Sequence, residues 1–424
     1  MTPSPLPTRP PYPTVEARDI PQTTVMQTIM RLPDPILSVD LAVHPLTNEP
    51  VVAAIAASMT TDSSPHAFVS AYDRQTKQWG MVQNIDTGAT AIGVHRFRSV
   101  AVAVSGDGTI TAVWGATAYP ALEVWASTSR DKGHTWAAPV LLLANSFGVL
   151  DVAATLDGQI AVLALQREPV APVIITGSPA GQWSAPDSIP VPSAWYATSG
   201  SVVVTGEGAD ARLVALTTAF TDAPGTAYLA TRPVMRPGQW TVGSRSIGGD
   251  RLLGQVRGLA AAPSVVAFSF VALDDARFYV LASRDGGTTW GEIERLPQPA
   301  EASAVPIPAT PFGAVAYDNA ADRLVALWTC CEQARWGGKP ATHYTAASRP
   351  GANDWLPQLP IPVISGAAAA ADTVVAQAPN HRSIWLAWVE DSYTVAARAL
   401  DLNRLLPHEL YPTPVISTLL EETP

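Results

Sequence analysis

Two carboxylates, Asp40 and Asp151, and two guanidinium groups, Arg98 and Arg257, stand at the starts of apolar runs, where corresponding runs carry Ser201, Gly313 or Ala367. Paired carboxyls flanking a sugar ring supply the acid and base of glycoside hydrolysis. Asp40 and Asp151 are the pair in equivalent register, with a broad gap between them that suits an inverting geometry. Asp62 is a further acid. Guanidinium groups grip carboxylates in bidentate fashion, so Arg98 and Arg257 are candidate anion-binding residues. Trp195, Tyr196 and Trp336 offer aromatic faces that stack on the C–H face of a sugar. Other acids and cations fall in intervening turns: Arg167, Glu168, Asp222, Asp274, Asp275, Glu390 and Asp391. The longest such turn, 329–342, holds Cys330, Cys331, Arg335, Trp336 and Lys339. A structural reading stands beside the chemical one, since acids and arginines at a wet centre also pair with one another.

The elements that would position these groups follow from a repeat. Tryptophan recurs at 79, 136, 183, 240, 290 and 355, at intervals of 57, 47, 57, 50 and 65 residues. Upstream of each lie alternating, β-branched runs, in the second unit Ser99–Val104, Thr109–Trp114 and Glu123–Ser127. Alternation at period two reads as half-buried antiparallel strands. Gly106-Asp107-Gly108 and Asp157-Gly158 punctuate them as turns. Four strands in about 50 residues, repeated, are the pattern of propeller blades. Six units are complete. The seventh has three strand-like runs (Asp372–Ala378, Ser383–Val389, Thr394–Leu400), and Thr24–Leu32 can supply its fourth, removing an exposed edge. The expectation is a seven-bladed all-β propeller closed by an N-terminal strand, with six blades as the alternative. Residues 1–23 form a Pro-rich arm, 24–405 the propeller and 406–424 a tail.

Two segments carry the pattern S-x-D-x-G-x-T-W in full: Ser129, Asp131, Gly133, Thr135 and Trp136, and Ser283, Asp285, Gly287, Thr289 and Trp290. Degenerate copies precede Trp79, Trp183 and Trp355. On these motifs the chain resembles the Asp-box, or BNR-repeat, propellers of the sialidase-like superfamily. The resemblance covers nearly everything after residue 24. It implies that Asp131 and Asp285 are structural, shaping a hairpin on the rim away from the substrate face. A ligand is then expected on the other face, made by B–C loops and blade connections.

Arg31-Leu32-Pro33 is similar to the Arg-Ile-Pro motif of sialidases; the resemblance implies that Arg31, with Arg98 and Arg257, forms an anion clamp, and Asp62 falls where their acid/base lies. Their Tyr–Glu nucleophile pair has no matching context; Tyr393 and Tyr344 are the nearest candidates. Sialidases also have six blades. The favoured function is a propeller binding a glycan or a protein partner. The alternatives are a secreted glycoside hydrolase, sialidase-like or with two carboxylates, and a scaffold subunit in a larger assembly.

Composition narrows the partners. Net charge is −10, and the three lysines are scattered, so no basic surface tracks phosphates and nucleic acid is not an expected partner. No run approaches the roughly 20 apolar residues of a membrane helix. Metal-ligand spacing is absent and no cofactor is implied. Two adjacent cysteines exclude a disulfide framework. The N-terminus lacks an apolar signal core; family and composition suggest an extracellular or cell-surface protein, with the cytoplasm left open.

Overall fold

A computed structural model describes residues 27–56, 66–86, 99–118, 121–178, 181–191, 197–206, 208–219, 225–246, 253–261, 264–272, 277–296, 313–330, 342–349, 351–352, 355, 359–361, 374–378, 381, 383–390 and 392–402. The described elements are antiparallel strands, with one 3-10 turn at Gly208–Asp210. Among these residues no helix is long and apolar enough to cross a membrane.

The chain enters on β1 (Gln27–Arg31) and lays down the first sheet with β2 (Ile36–Val43), β3 (Pro50–Ala56), β4 (His66–Asp73), β5 (Gln78–Trp79) and β6 (Gln83–Asn84). A seven-stranded sheet follows: β7 (Val100–Val104), β8 (Ile110–Ala118), β9 (Ala121–Ser129), β10 (Val140–Ala154), β11 (Ile160–Gln166), β12 (Ala171–Gly177) and β13 (Asp187–Ser188). Next come β14 (Ala197–Thr205), β15 (Arg212–Ala219), β16 (Thr226–Pro233) and β17 (Thr241–Ser246). Another four-stranded sheet has β18 (Leu253–Ala261), β19 (Val265–Ala272), β20 (Arg277–Ser283) and β21 (Glu294–Arg295). The next has β22 (Gly313–Asp318), β23 (Arg323–Cys330), β24 (Thr342–Ala347) and β25 (Leu359–Ile361). In the last, β26 (Val374–Ala376), β27 (Ser383–Val389) and β28 (Thr394–Asp401) are completed by β1, whose Gln27 and Arg31 lie opposite Ala397 and Thr394.

The seven-stranded sheet is two meanders sharing one long strand. The first part of β10 pairs with β9 and the second with β11. Asn145 (φ 58°) and Gly148 (φ 120°) turn the chain between them.

Burial departs from the half-buried expectation. Val100–Val104, Pro50–Ala56, Val265–Ala272 and Gly313–Asp318 are buried at every position. Sheets packed on both faces need apolar residues on both, so alternation gives way to continuous apolar runs. The repeated tryptophans join cores between sheets, or, for Trp183, between the two meanders of the seven-stranded sheet. Trp136 packs with β3 and β7 residues, and Trp290 with β14 and β19 residues. Trp79 joins the core that β2 and β3 share with β1 and β26–β28. The first strands touch in chain order, β2 to β7, β10, β14, β18, β22 and β26, and β26 also contacts β2.

The two full motif hairpins have matching hydrogen bonds. Asp131 Oδ1 accepts from Thr135 N at 2.8 Å, and Gly133 N donates to Ser129 Oγ at 2.8 Å. Asp285 Oδ1 and Ser283 Oγ repeat these bonds with Thr289 N and Gly287 N at 2.8 and 2.9 Å. Trp136 Nε1 and Trp290 Nε1 donate to the carbonyls of Gly133 and Gly287 at 3.2 and 3.1 Å. The glycines sit at φ 86° and 85°, a region that favours a residue without Cβ. The Thr135 hydroxyl, the Thr135 backbone N–H and the Ser129 hydroxyl, all donating to Asp131, hold its carboxyl down at about 2.

Candidate functional site

The charged residues do not stand at strand starts as the alternation suggests. Asp40 is inside β2, Asp151 inside the second part of β10, and Arg257 inside β18. The reason is irregular register: each strand begins earlier and then shifts. The shifts fall between Ile36 and Ser38, Val149 and Asp151, Ala197 and Ser199, and Gly254 and Arg257. An extra residue of this kind re-aims the side chains beside it. On β10, β14 and β18 the residue after the shift is polar: Asp151, Ser199 and Arg257.

Both acids reach across to the next first strand. Asp40 Oδ2 accepts from Val102 N on β7 at 2.9 Å. Asp151 Oδ2 accepts from Val202 N on β14 at 2.9 Å and from the Ser201 hydroxyl, while its Oδ1 accepts from Val152 N at 2.8 Å. Ser199 Oγ plays the same part for Val256 N on β18 at 2.9 Å. Gln377, just beyond β26, exchanges two bonds of 2.7 Å with the backbone of Tyr317 on β22. Side chains on first strands thus bind main-chain groups of the adjoining sheet. Ser199, Ser201 and Gln377 were not among the sequence candidates. Their signal was faint, since Ser201 reads as an unremarkable small residue at the position where others carry charge.

Three of the charged candidates share one electrostatic neighbourhood although they come from three strands. Burial pushes Asp40 up to about 6; Arg257 opposes this and Asp151 adds to it. Burial also raises Asp151, against its bond from Ser201 and the field of Arg257. Next to Arg257, a Cβ on Gly258 would lie 2.6 Å from Val203 Cγ1 and 2.8 Å from Ser201 Oγ. The glycine therefore lets β18 lie close against β14. Chemically, the cluster offers a carboxyl that titrates near pH 6 beside a permanent cation.

Arg31 is elsewhere: it is exposed at the end of β1, the strand of its sheet farthest from β26. Leu32 N, next to it, donates to Tyr393 O at 2.8 Å. Asp62, Arg98, Trp195, Tyr196 and Trp336 lie outside the described residues, as do Asp222, Asp274, Asp275, Asp391 and Cys331. Among the described residues no three His, Cys, Asp or Glu side chains gather as metal ligands.

No protein-family model matches the chain, and no curated protein matches it by sequence. Solved structures do match in fold. The K499G mutant of NanB sialidase from Streptococcus pneumoniae superposes with a TM-score of 0.51 at 14% identity, over 92% of this chain and 72% of that one. NanB in complex with 2-[(3-chlorobenzyl)ammonio]ethanesulfonate gives 0.51 at 12% identity, over 91% and 72%. Hadza microbial sialidase Hz136 gives 0.50 at 11% identity, over 88% of this chain and 66% of that one. The chain is an all-β protein with a sialidase-like fold.

Proposed function

We propose that this chain is a seven-bladed Asp-box propeller that binds a glycan without hydrolysing it, on the face formed by B–C loops and blade connections. The observation that carries the non-hydrolytic part is the use made of Asp40 and Asp151. Their carboxylates are bonded to backbone N–H groups of adjoining strands, whereas an acid/base pair must be free to exchange protons with substrate and water. The seven-blade reading is supported by the chain-order contacts of the first strands, the return of β26 to β2 and the completion of the last sheet by β1. The Asp-box reading is supported by the two matching hairpins. The glycan as ligand is supported by the fold shared with sialidases. The separation of Arg31 from the first strands counts against a sialidase clamp.

One observation favours a second reading, a two-carboxylate glycosidase. Asp40, at about 6, is a fair general acid near neutral pH, and Asp151 is close enough to influence it. A glycan array combined with a panel of aryl glycosides separates the two. The expected result is retention of one glycan class with no turnover above the buffer blank. Turnover that disappears in Asp40→Asn or Asp151→Asn would replace the first reading with the second, and absence of both glycan retention and turnover would remove both.

A further inference from the structure

Where β14 ends and β15 begins, a cleft of about 480 Å3 opens between the β14–β17 sheet and the hairpin after β20. Its cations are Arg212, at the start of β15, and Arg236, in the turn after β16; both are exposed. Its acids are Asp210 and Asp285. Asp285 is occupied by its own hairpin, accepting from Ser283 Oγ, Thr288 N, Thr289 N and Thr289 Oγ1 at 2.6–3.0 Å. No ion pair within 4.0 Å joins Arg212 or Arg236 to an acid among the described residues.

The repeat supplies two internal comparisons that explain why this cleft is open and why Arg212 lacks a paired counter-charge. Arg212 lies opposite Thr205 across the hairpin. The same place in the β22–β25 sheet holds Arg323 opposite Asp318, and there the two are ion-paired at 3.1 Å and buried. Replacing the acid by Thr205 leaves Arg212 without that counter-charge. The second comparison is the motif residue between the aspartate and the glycine. In Ser129–Trp136 this is Lys132, which reaches across to Glu49 of the preceding sheet at 3.9 Å. In Ser283–Trp290 it is Gly286, which has no side chain to span the gap. Thr205 Oγ1 instead contacts the Gly286 carbonyl at 3.3 Å, holding the two sides together.

We propose that this cleft is a second ligand site, separate from the first-strand cluster, which takes a small molecule bearing an oxyanion, a sulfate, phosphate or carboxylate group, between Arg212 and Arg236. Guanidinium groups present paired donors to such groups and bind them with charge-assisted bonds. Thr288 lines the same cleft, with its hydroxyl donating to the Asp285 carbonyl at 3.0 Å.

The test is calorimetric titration of the full chain at low ionic strength with inorganic sulfate, inorganic phosphate and glucuronate. Saturable binding of at least one probe is expected. Arg212→Gln and Arg236→Gln should each weaken it roughly tenfold, the loss of one charge-assisted bond. Thr205→Asp should abolish it by giving Arg212 the partner that Arg323 has, and Asp40→Asn should leave it unchanged. Thermal melts of each variant confirm folding. No saturable binding by any probe, or binding that both arginine variants retain in full, would overturn the proposal.

Discussion

Asp151 on β10 accepts the backbone N–H of Val202 on β14 at 2.9 Å, so that one carboxylate fastens two adjacent sheets. The same oxygen takes the Ser201 hydroxyl. Asp151→Ala leaves both donors without an acceptor in a buried place and should cost about 2–4 kcal/mol. Ser201→Ala, which removes only one partner, should cost about 1 kcal/mol. Urea denaturation measures both; an Asp151→Ala midpoint equal to that of the parent would show that the bond does not fasten the sheets.

Asp40 makes stability depend on pH. Its folded value of about 6 lies above the ordinary 3.8, so the folded state holds a proton that the unfolded chain releases. Its contribution is therefore full below pH 4 and is lost as pH rises towards 6, by about 3 kcal/mol, with a plateau above. Carboxylates held low by hydrogen bonds, such as Asp107 and Asp285, act in the other direction as pH falls. The difference between the stability curves of the parent and Asp40→Asn isolates the first effect. A flat difference from pH 4 to 7 would contradict it.

The two motif glycines should differ in sensitivity. Both have positive φ, which a side chain resists by about 1 kcal/mol. A Cβ on Gly287 would also lie 3.0 Å from Val214 Cγ2, whereas one on Gly133 has nothing nearer than 3.6 Å. Gly287→Ala is expected to lower the melting temperature further than Gly133→Ala. The reverse order would mean that packing at Val214 is looser than the geometry implies.

The Arg232 side chain is almost wholly buried, 3.0 Å from Asp187 on β13, which also accepts from Trp240 Nε1 at 3.1 Å. The guanidinium lies 4.9 Å from the Trp240 ring centroid. Asp187→Ala strands a buried cation and should cost about 3–5 kcal/mol. Arg232→Met together with Asp187→Leu should recover much of that loss, and guanidinium denaturation compares the two. A single variant as stable as the double one would refute the pairing argument.

Met30 tests the completion of the last sheet. It is buried on β1 in the core shared with β2, β3 and β26–β28. Met30→Ala should cost about 2–5 kcal/mol, measured by thermal melting. An unchanged midpoint would mean that β1 contributes little to holding the chain ends together.

Strand content, the repeat and the pairing partner of the N-terminal strand were legible in the residues. Val, Ile, Thr and Trp runs between glycine- and aspartate-bearing turns specify local β-structure, and Gln27–Arg31 lies within the run 24–32 that pairs with β28. Less was legible at the candidate site. Periodicity marked Asp40, Asp151 and Arg257 as unusual but put them at strand starts, because a register shift changes pairing without changing composition. It passed over Ser199, Ser201 and Gln377, whose side chains matter only for what the neighbouring sheet presents.

By itself, then, the sequence determined what local forces determine: which segments extend, where the chain turns, and that Asp131 and Asp285 fold into their own hairpins with Thr135 and Thr289, four residues away. What only the tertiary structure decided is the use of Asp40 and Asp151, whose bonding partners lie 62 and 51 residues further on. A carboxylate is the same chemical group in a clasp or in an active site. Burial, the donors that meet it and the field of Arg257 set its role, and these exist only once separate sheets have packed together.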